Sequence, residues 1–322
     1  MKFIDYYNDM VREIFHVIFF GGDKMEKKIE IKNVSKFYGR KQALFDIDLT
    51  IGQGMFGLLG RNGAGKTTLM KTLAALHRKK GGEITVCGVP IEKAKEIRAM
   101  TGYLPQDFSM YPSMKTDEAL DYLGALSGIP KAERKKRVTA LLRKVNLIEH
   151  RHKKVKELSG GMKRRLGIAQ ALIHDPTVLI VDEPTAGLDP EERIRFRNLL
   201  CEVAEERIVI LSTHIVGDIE ATCENIAIMD EGKILWKGTV EQLIENARGH
   251  IFTSNVEKRF MPQIKKEYIV TGMLSQNDYT TVRIVSDSEP DLPNTVLTEP
   301  DLEGAYMYCL HSSGCDVKGG EE

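Results

Sequence analysis

The chain has 322 residues with 46 basic and 46 acidic side chains, so its formal net charge is zero. A hydrophobic fraction of 42% and a charged fraction of 29% are those of an ordinary globular chain, and the length suggests about two domains. Wholesale disorder is excluded, neutrality argues against a dedicated nucleic-acid binder, and apolar runs such as Ile14 to Phe20 are far shorter than the roughly 18–20 residues of a membrane span.

Residues 1–24 differ from the rest. They are rich in Phe, Tyr and Ile, but Asp5, Asp9, Arg12 and Glu13 interrupt any signal-peptide pattern. Two readings stand: an amphipathic helix lying on a membrane or partner, or an upstream start codon with the folded protein beginning at Met25. The segment is expected to be dispensable for ligand binding, because the first core strand starts after Met25.

From Met25 the pattern alternates between strands and helices. Ile29, Ile31 and Val34 mark one strand, and Leu44, Ile47, Leu49 and Ile51 a second. Phe56 to Leu59 form a short apolar strand that runs into a glycine-rich turn, followed by a helix-like stretch from Thr67 to Leu76. A helical block is expected over about residues 107–175. In it Leu120, Leu123 and Leu126 recur every third residue, and Val138, Leu141, Leu142 and Val145 follow amphipathic spacing. Residues 131–156 hold eleven Lys or Arg against two Glu, readable as a solvated face or as a surface beside anionic lipid. Val178 to Val181 and Ile208 to Leu211 read as buried parallel strands. Ile226 to Met229 and Ile234 to Trp236 flank a hairpin turn, Asp230-Glu231-Gly232.

The tail, residues 250–322, reads as a small α+β appendage. Its two strands, Ile269 to Leu274 and Thr281 to Val285, precede a proline-marked loop and a closing helix over Leu302 to Leu310. It carries no phosphate or metal motif, so ligand binding is expected not to need it. The five cysteines, Cys87, Cys201, Cys223, Cys309 and Cys315, form no CxxC pair, which fits free thiols in a reducing compartment.

The chemistry lies in three places. Gly60-Arg61-Asn62-Gly63-Ala64-Gly65-Lys66-Thr67 matches the phosphate-loop pattern, with an apolar strand before it and a helix after it. Its glycines let backbone N–H groups curl around phosphate oxygens, and the helix N-terminus adds partial positive charge. Lys66 can neutralise β- and γ-phosphates, and Thr67 can offer its hydroxyl to Mg²⁺. The strand Val178 to Val181 ends in Asp182 and Glu183. Downstream of a phosphate loop, the first carboxylate suits a metal and the second a general base. Leu158-Ser159-Gly160-Gly161-Met162 opens a further helix, with Ser159 as its cap and two glycines exposing N–H groups, as a plain cap or a second anion site.

With these residues in order, the chain resembles the ATP-binding subunits of ABC transporters. Gly60 to Thr68 is similar to their Walker A loop, Val178 to Glu183 to Walker B and Leu158 to Met162 to the signature motif. Tyr103-Leu104-Pro105-Gln106 resembles the Q-loop, Ala186-Gly187-Leu188-Asp189 the D-loop and Ser212-Thr213-His214 the switch histidine. Tyr38 resembles the aromatic A-loop position. The resemblance covers about residues 26–240. With Tyr111-Pro112 and Pro300-Asp301-Leu302-Glu303 it extends more loosely to exporters whose permease is a separate chain.

The resemblance implies an α/β fold: a three-layer P-loop core over residues 25–249, an inserted helical subdomain and the α+β appendage. It implies ATP and Mg²⁺ as ligands, a second ATP-binding subunit, a multi-span permease as partner, and a cytoplasmic place on the inner membrane face. Tyr38 would stack on adenine. Lys66, Thr67 and Thr68 would hold phosphate. Thr67 and Asp182 would serve the metal, Gln106 would contact the metal or the water and report nucleotide state to the helical block, Glu183 would be the base, and His214 would grip the γ-phosphate. Ser159, Gly160 and Gly161 would bind the γ-phosphate of the opposite subunit, and Asp189 would line the contact. A ribosome-binding ATPase would need two such loops in one chain, and a chromosome clamp a long coiled coil between Lys66 and Ser159. An accessory ATPase of an assembly complex stays open.

Overall fold

The structure, a computed structural model, describes residues 26–315; the extension read over residues 1–24 lies outside them. Strands β1 (Ile29–Tyr38), β2 (Lys41–Ile51) and β3 (Gly54–Leu59) lead to helix α1 (Lys66–Leu73). Next come β4 (Gly81–Val86), β5 (Val89–Pro90), α2 (Ala94–Met100) and β6 (Thr101–Leu104). The helical block contains α3 (Thr116–Leu126), α4 (Lys131–Lys144) and α5 (Gly160–Leu172). The core resumes with β7 (Val178–Asp182), α6 (Pro190–Ala204), β8 (Ile208–Thr213), α7 (Val216–Glu220), β9 (Asn225–Asp230), β10 (Lys233–Thr239) and α8 (Val240–Asn246). The tail holds β11 (Ile251–Glu257), α9 (Met261–Glu267), β12 (Ile269–Ser275), β13 (Tyr279–Val285), β14 (Val296–Leu297) and α10 (Leu302–Ser312).

The central sheet has the order β10-β9-β3-β8-β7-β6, parallel from β6 to β9 with β10 antiparallel at the edge. Its strands are apolar on both faces because both are covered. Along β7, Val178 and Ile180 face one core, and Leu179 and Val181 face the other. The first core is closed by α1 and the antiparallel sheet β2-β1-β4-β5, the second by α5, α6 and α10. This is the expected three-layer arrangement.

Strand register positions the site. Leu59 lies opposite Thr213 and Ile228, and Asp182 opposite Ser212. The turns after β3, β7 and β8 therefore leave the sheet together at its carboxyl edge, where open α/β sheets bind ligands.

In the helical block, Val138, Leu142 and Val145 are buried as their spacing predicts. The three-residue leucine recurrence behaves differently: Leu120 is buried, while Leu126 is 66% exposed. Each step of three falls about 60° short of a full turn, so the third leucine rotates off the buried face. The tail is divided. Val256, Ile264, Val282 and Ile284 form a small core of their own, but Leu302, Ala305, Tyr306 and Leu310 of α10 join the main core beside Ile219 and Leu243. Packing is thus continuous across residue 250.

Candidate functional site

Gly60 follows β3 and donates its N–H to Thr213 O at 3.3 Å. A Cβ at Gly60 would lie 2.2 Å from Met229 O, so no side chain fits there. Gly65, which caps α1, holds φ at 103°, a region that side chains avoid. The loop is thereby a bare backbone cradle ahead of a helix N-terminus.

Lys66 turns back under this cradle. Its Nζ donates to Gly60 O at 2.6 Å and Arg61 O at 2.9 Å. It also lies 3.2 Å from Glu183 Oε1, an ion pair in which both side chains are 5% exposed. The other carboxylate oxygen of Glu183 is 2.6 Å from His214 Nδ1. Lys66, Glu183 and His214 thus form a chain of polar contacts across three separate turns. Glu183 itself sits at φ 48°, held by its N–H donating to Ser212 O at 2.9 Å.

Asp182, directly before it, is fully buried. Its Oδ1 accepts from Ser212 Oγ at 2.9 Å, whereas Oδ2 has no aligned hydrogen bond among the described residues. Tyr103 stands beside it: burial first, and then the Asp182 carboxylate, push the phenol well above its usual range. A buried carboxylate with one oxygen lacking an aligned hydrogen bond is a donor of the kind that fits Mg²⁺, which takes one or two protein oxygens and draws the rest from phosphate and water. No cluster of three or more His, Cys, Asp or Glu able to hold a metal occurs among the described residues.

Tyr38 ends β1 and is 46% exposed. Its hydroxyl is 2.8 Å from His77 Nδ1, and the two rings meet edge to face at 5.7 Å. Burial, then Lys36 and Lys71, lower the His77 pKa, which favours a neutral ring able to accept from the phenol. His77 was not foreseen, because nothing in the sequence links it to Tyr38. Gln106 is exposed in the turn after β6.

Ser159 and Gly160 are exposed at the start of α5, where Ser159 Oγ accepts from Met162 N at 3.2 Å. Gly161 is buried against Glu192, and a Cβ there would lie 2.6 Å from its Oε2. Arg165 fixes this helix from below, with Nε 3.2 Å from Glu192 Oε2 and a terminal nitrogen donating to Val145 O and Asn146 O, each at 3.1 Å. Exposed Asp189 caps α6 and accepts from Glu192 N at 2.9 Å. The cap of α6 and the foot of α5 therefore share Glu192.

A glycine-rich backbone cradle, a lysine beneath it and an Asp-Glu strand end define a P-loop nucleoside-triphosphatase. The ABC transporter family model matches residues 44–186. An uncharacterized ABC transporter ATP-binding protein of Bacillus subtilis (strain 168) is 34% identical over 250 residues, covering 77% of this chain and 83% of that protein. A Nod factor export ATP-binding protein I of Cupriavidus pinatubonensis is 39% identical over 224 residues, 69% of each chain. The dimeric structure of a bacterial ABC transporter cassette superposes with a TM-score of 0.60 at 25% identity, covering 66% of this chain and 98% of that one. The chain belongs to the family of ABC transporter ATP-binding proteins. It is an ATPase whose ligands are ATP and Mg²⁺. Among the described residues, no helix is long and apolar enough to cross a membrane.

Proposed function

We propose that this protein powers export through a separate multi-span permease, as one of two ATP-binding subunits that close around two ATP molecules. It would work from the cytoplasmic face of the membrane, held there by the permease. The name of the Nod factor export relative supports export, and the dimeric cassette supports pairing. The observation that carries the reading is the division of the site. Lys66, Glu183 and His214 meet at the phosphate loop, while Ser159 and Gly160 present a second helix end outward.

In this reading Tyr38 stacks on adenine and the N–H groups of Gly60 to Gly65 bind phosphate, with Lys66 and Thr68. Thr67, Asp182 and Gln106 hold Mg²⁺, which when bound supplies charge neutralisation at the phosphates. A γ-phosphate competes with Glu183 for Lys66. Glu183, freed on that side and still oriented by His214, accepts the proton of the attacking water. Ser159, Gly160 and Gly161 bind the γ-phosphate held by the partner, and Asp189 lines the contact. Preorganised donors on both sides lower the barrier by positioning and electrostatics.

The test uses Glu183→Gln, which keeps shape and removes basicity. Light scattering with ATP and Mg²⁺ should show a shift from monomer to dimer that ADP does not cause, and hydrolysis should stop. Adding Ser159→Arg should abolish the shift. Hydrolysis at the parent rate would refute the role of Glu183. A protein that stays monomeric at saturating ATP would replace self-pairing with a different second subunit.

A further inference from the structure

Arg164 lies in the second turn of α5, and none of the motifs uses it. Its Nε donates to Pro184 O at 2.8 Å. One terminal nitrogen donates to Gln106 O and, over a longer 3.4 Å, to Pro105 O. The other terminal nitrogen donates to Glu183 O. Every acceptor is a backbone carbonyl. Two belong to the turn that carries Gln106, and two to the turn that carries Glu183.

This arrangement suits the backbone it serves. Glu183 sits at φ 48°, where a residue with a Cβ is disfavoured, so its peptide orientation has to be held from outside. A guanidinium offers five donors in a planar fork and can serve two chain segments at once, which a single ammonium on a flexible stem does not. Burial pulls the Arg164 pKa down, and the charges of Asp107, Asp182 and Glu183 oppose that fall. The charge is thus kept where several carboxylates converge.

We propose that Arg164 is a positioning residue for ATP hydrolysis, which clamps the Gln106 turn and the Glu183 turn to α5 through their carbonyls. The inference rests on the reading of Glu183 as the base. Its consequence is directional. Ser159 caps helix α5, so contact between that turn and a partner's phosphate is transmitted through Arg164 to the same subunit's own Glu183. Among the described residues Arg164 donates to these two turns and not to the phosphate loop, so its loss should act on turnover more than on ATP affinity.

The experiment compares steady-state hydrolysis and equilibrium ATP affinity in the full chain, with thermal melting as a control. Arg164→Gln should lower kcat about tenfold or more while Kd stays within about threefold. Arg164→Lys should behave alike, because one ammonium does not bridge both turns. The loss should shrink when Gln106→Ala is already present, since both changes disable the same turn. Parent-like kcat in either variant overturns the proposal. So do a Kd that rises in step with the fall in kcat, strict additivity with Gln106→Ala, and unfolding of both variants, which would make Arg164 a folding element. Glu183→Gln is run in parallel: if it hydrolyses ATP normally, the reading of the site falls and the proposal with it. If it is inactive while Arg164→Gln is normal, only the proposal falls.

Discussion

The phosphate loop and the Ser159 turn are both glycine-bearing helix starts, yet they are finished differently. At the phosphate loop the charges are already matched: Lys66 is buried under its own carbonyls and against Glu183, and a Cβ at Gly60 would strike Met229 O. At the Ser159 turn the foot of the helix is anchored through Arg165 and Glu192, but Ser159 and Gly160 face solvent, and a Cβ at Gly160 would meet nothing within 4 Å. One end is shaped by this chain's own packing. The other is left open to solvent, as the proposed sharing of the site between two subunits requires.

The largest effect should come from the Lys66–Glu183 ion pair. Lys66→Ala leaves Glu183 buried without its cation, and removing one partner of a buried pair costs about 3–5 kcal/mol. ATP affinity measured by titration should fall about a hundredfold or more, and hydrolysis should be lost. Retained ATP binding would mean that the loop amides alone hold the phosphates, and the contrast between the two ends would weaken.

Next comes backbone fit. Gly60→Ala places a methyl group 2.2 Å from Met229 O, against backbone that cannot swing away. Overpacking of this kind costs about 1–3 kcal/mol, so the melting temperature should drop by several degrees even without nucleotide. An unchanged melting temperature would show that the approach of β9 to the loop is not rigid.

Of comparable or smaller size is the base contact. Tyr38→Ala should weaken ATP binding by about 1–3 kcal/mol, the usual worth of a base stacked on an aromatic ring, while Tyr38→Phe loses only the bond to His77. Equal affinity in all three proteins would remove Tyr38 from the site.

Much of this was legible in the sequence because it is local. The phosphate loop, the Asp182-Glu183 strand end and the Ser159 cap are each contiguous, and each announces its chemistry through glycine, lysine or carboxylate at fixed spacing. What pairs distant residues was not legible. His77 meets Tyr38 only because β1 returns beside the end of α1. Arg164 is one cation among many until the turns after β6 and β7 bring four carbonyls to it. The helix over Leu302 to Leu310 was legible as a helix, but its place in the main core was not, since periodicity shows an apolar face and not what covers it.

The smallest effect on folding is also the sharpest probe of the contrast. Gly160 occupies the first turn of α5 with ordinary backbone angles and open space around it. Alanine there removes glycine's entropic cost in a helix, so Gly160→Ala should leave stability unchanged or raise it by about 0.5–1 kcal/mol. ATP affinity of the lone subunit should not change, because the phosphate loop is untouched. What should change is closure: a methyl group now stands where the partner's γ-phosphate would approach the amides. In the Glu183→Gln background, the ATP concentration needed for dimerisation should rise about tenfold, read by light scattering. Gly161→Ala does not make this test, since its Cβ would strike Glu192 and disturb the helix from within. If Gly160→Ala dimerises like its parent at every ATP concentration, the Ser159 turn does not face a phosphate, and its exposure would need a different partner to explain it.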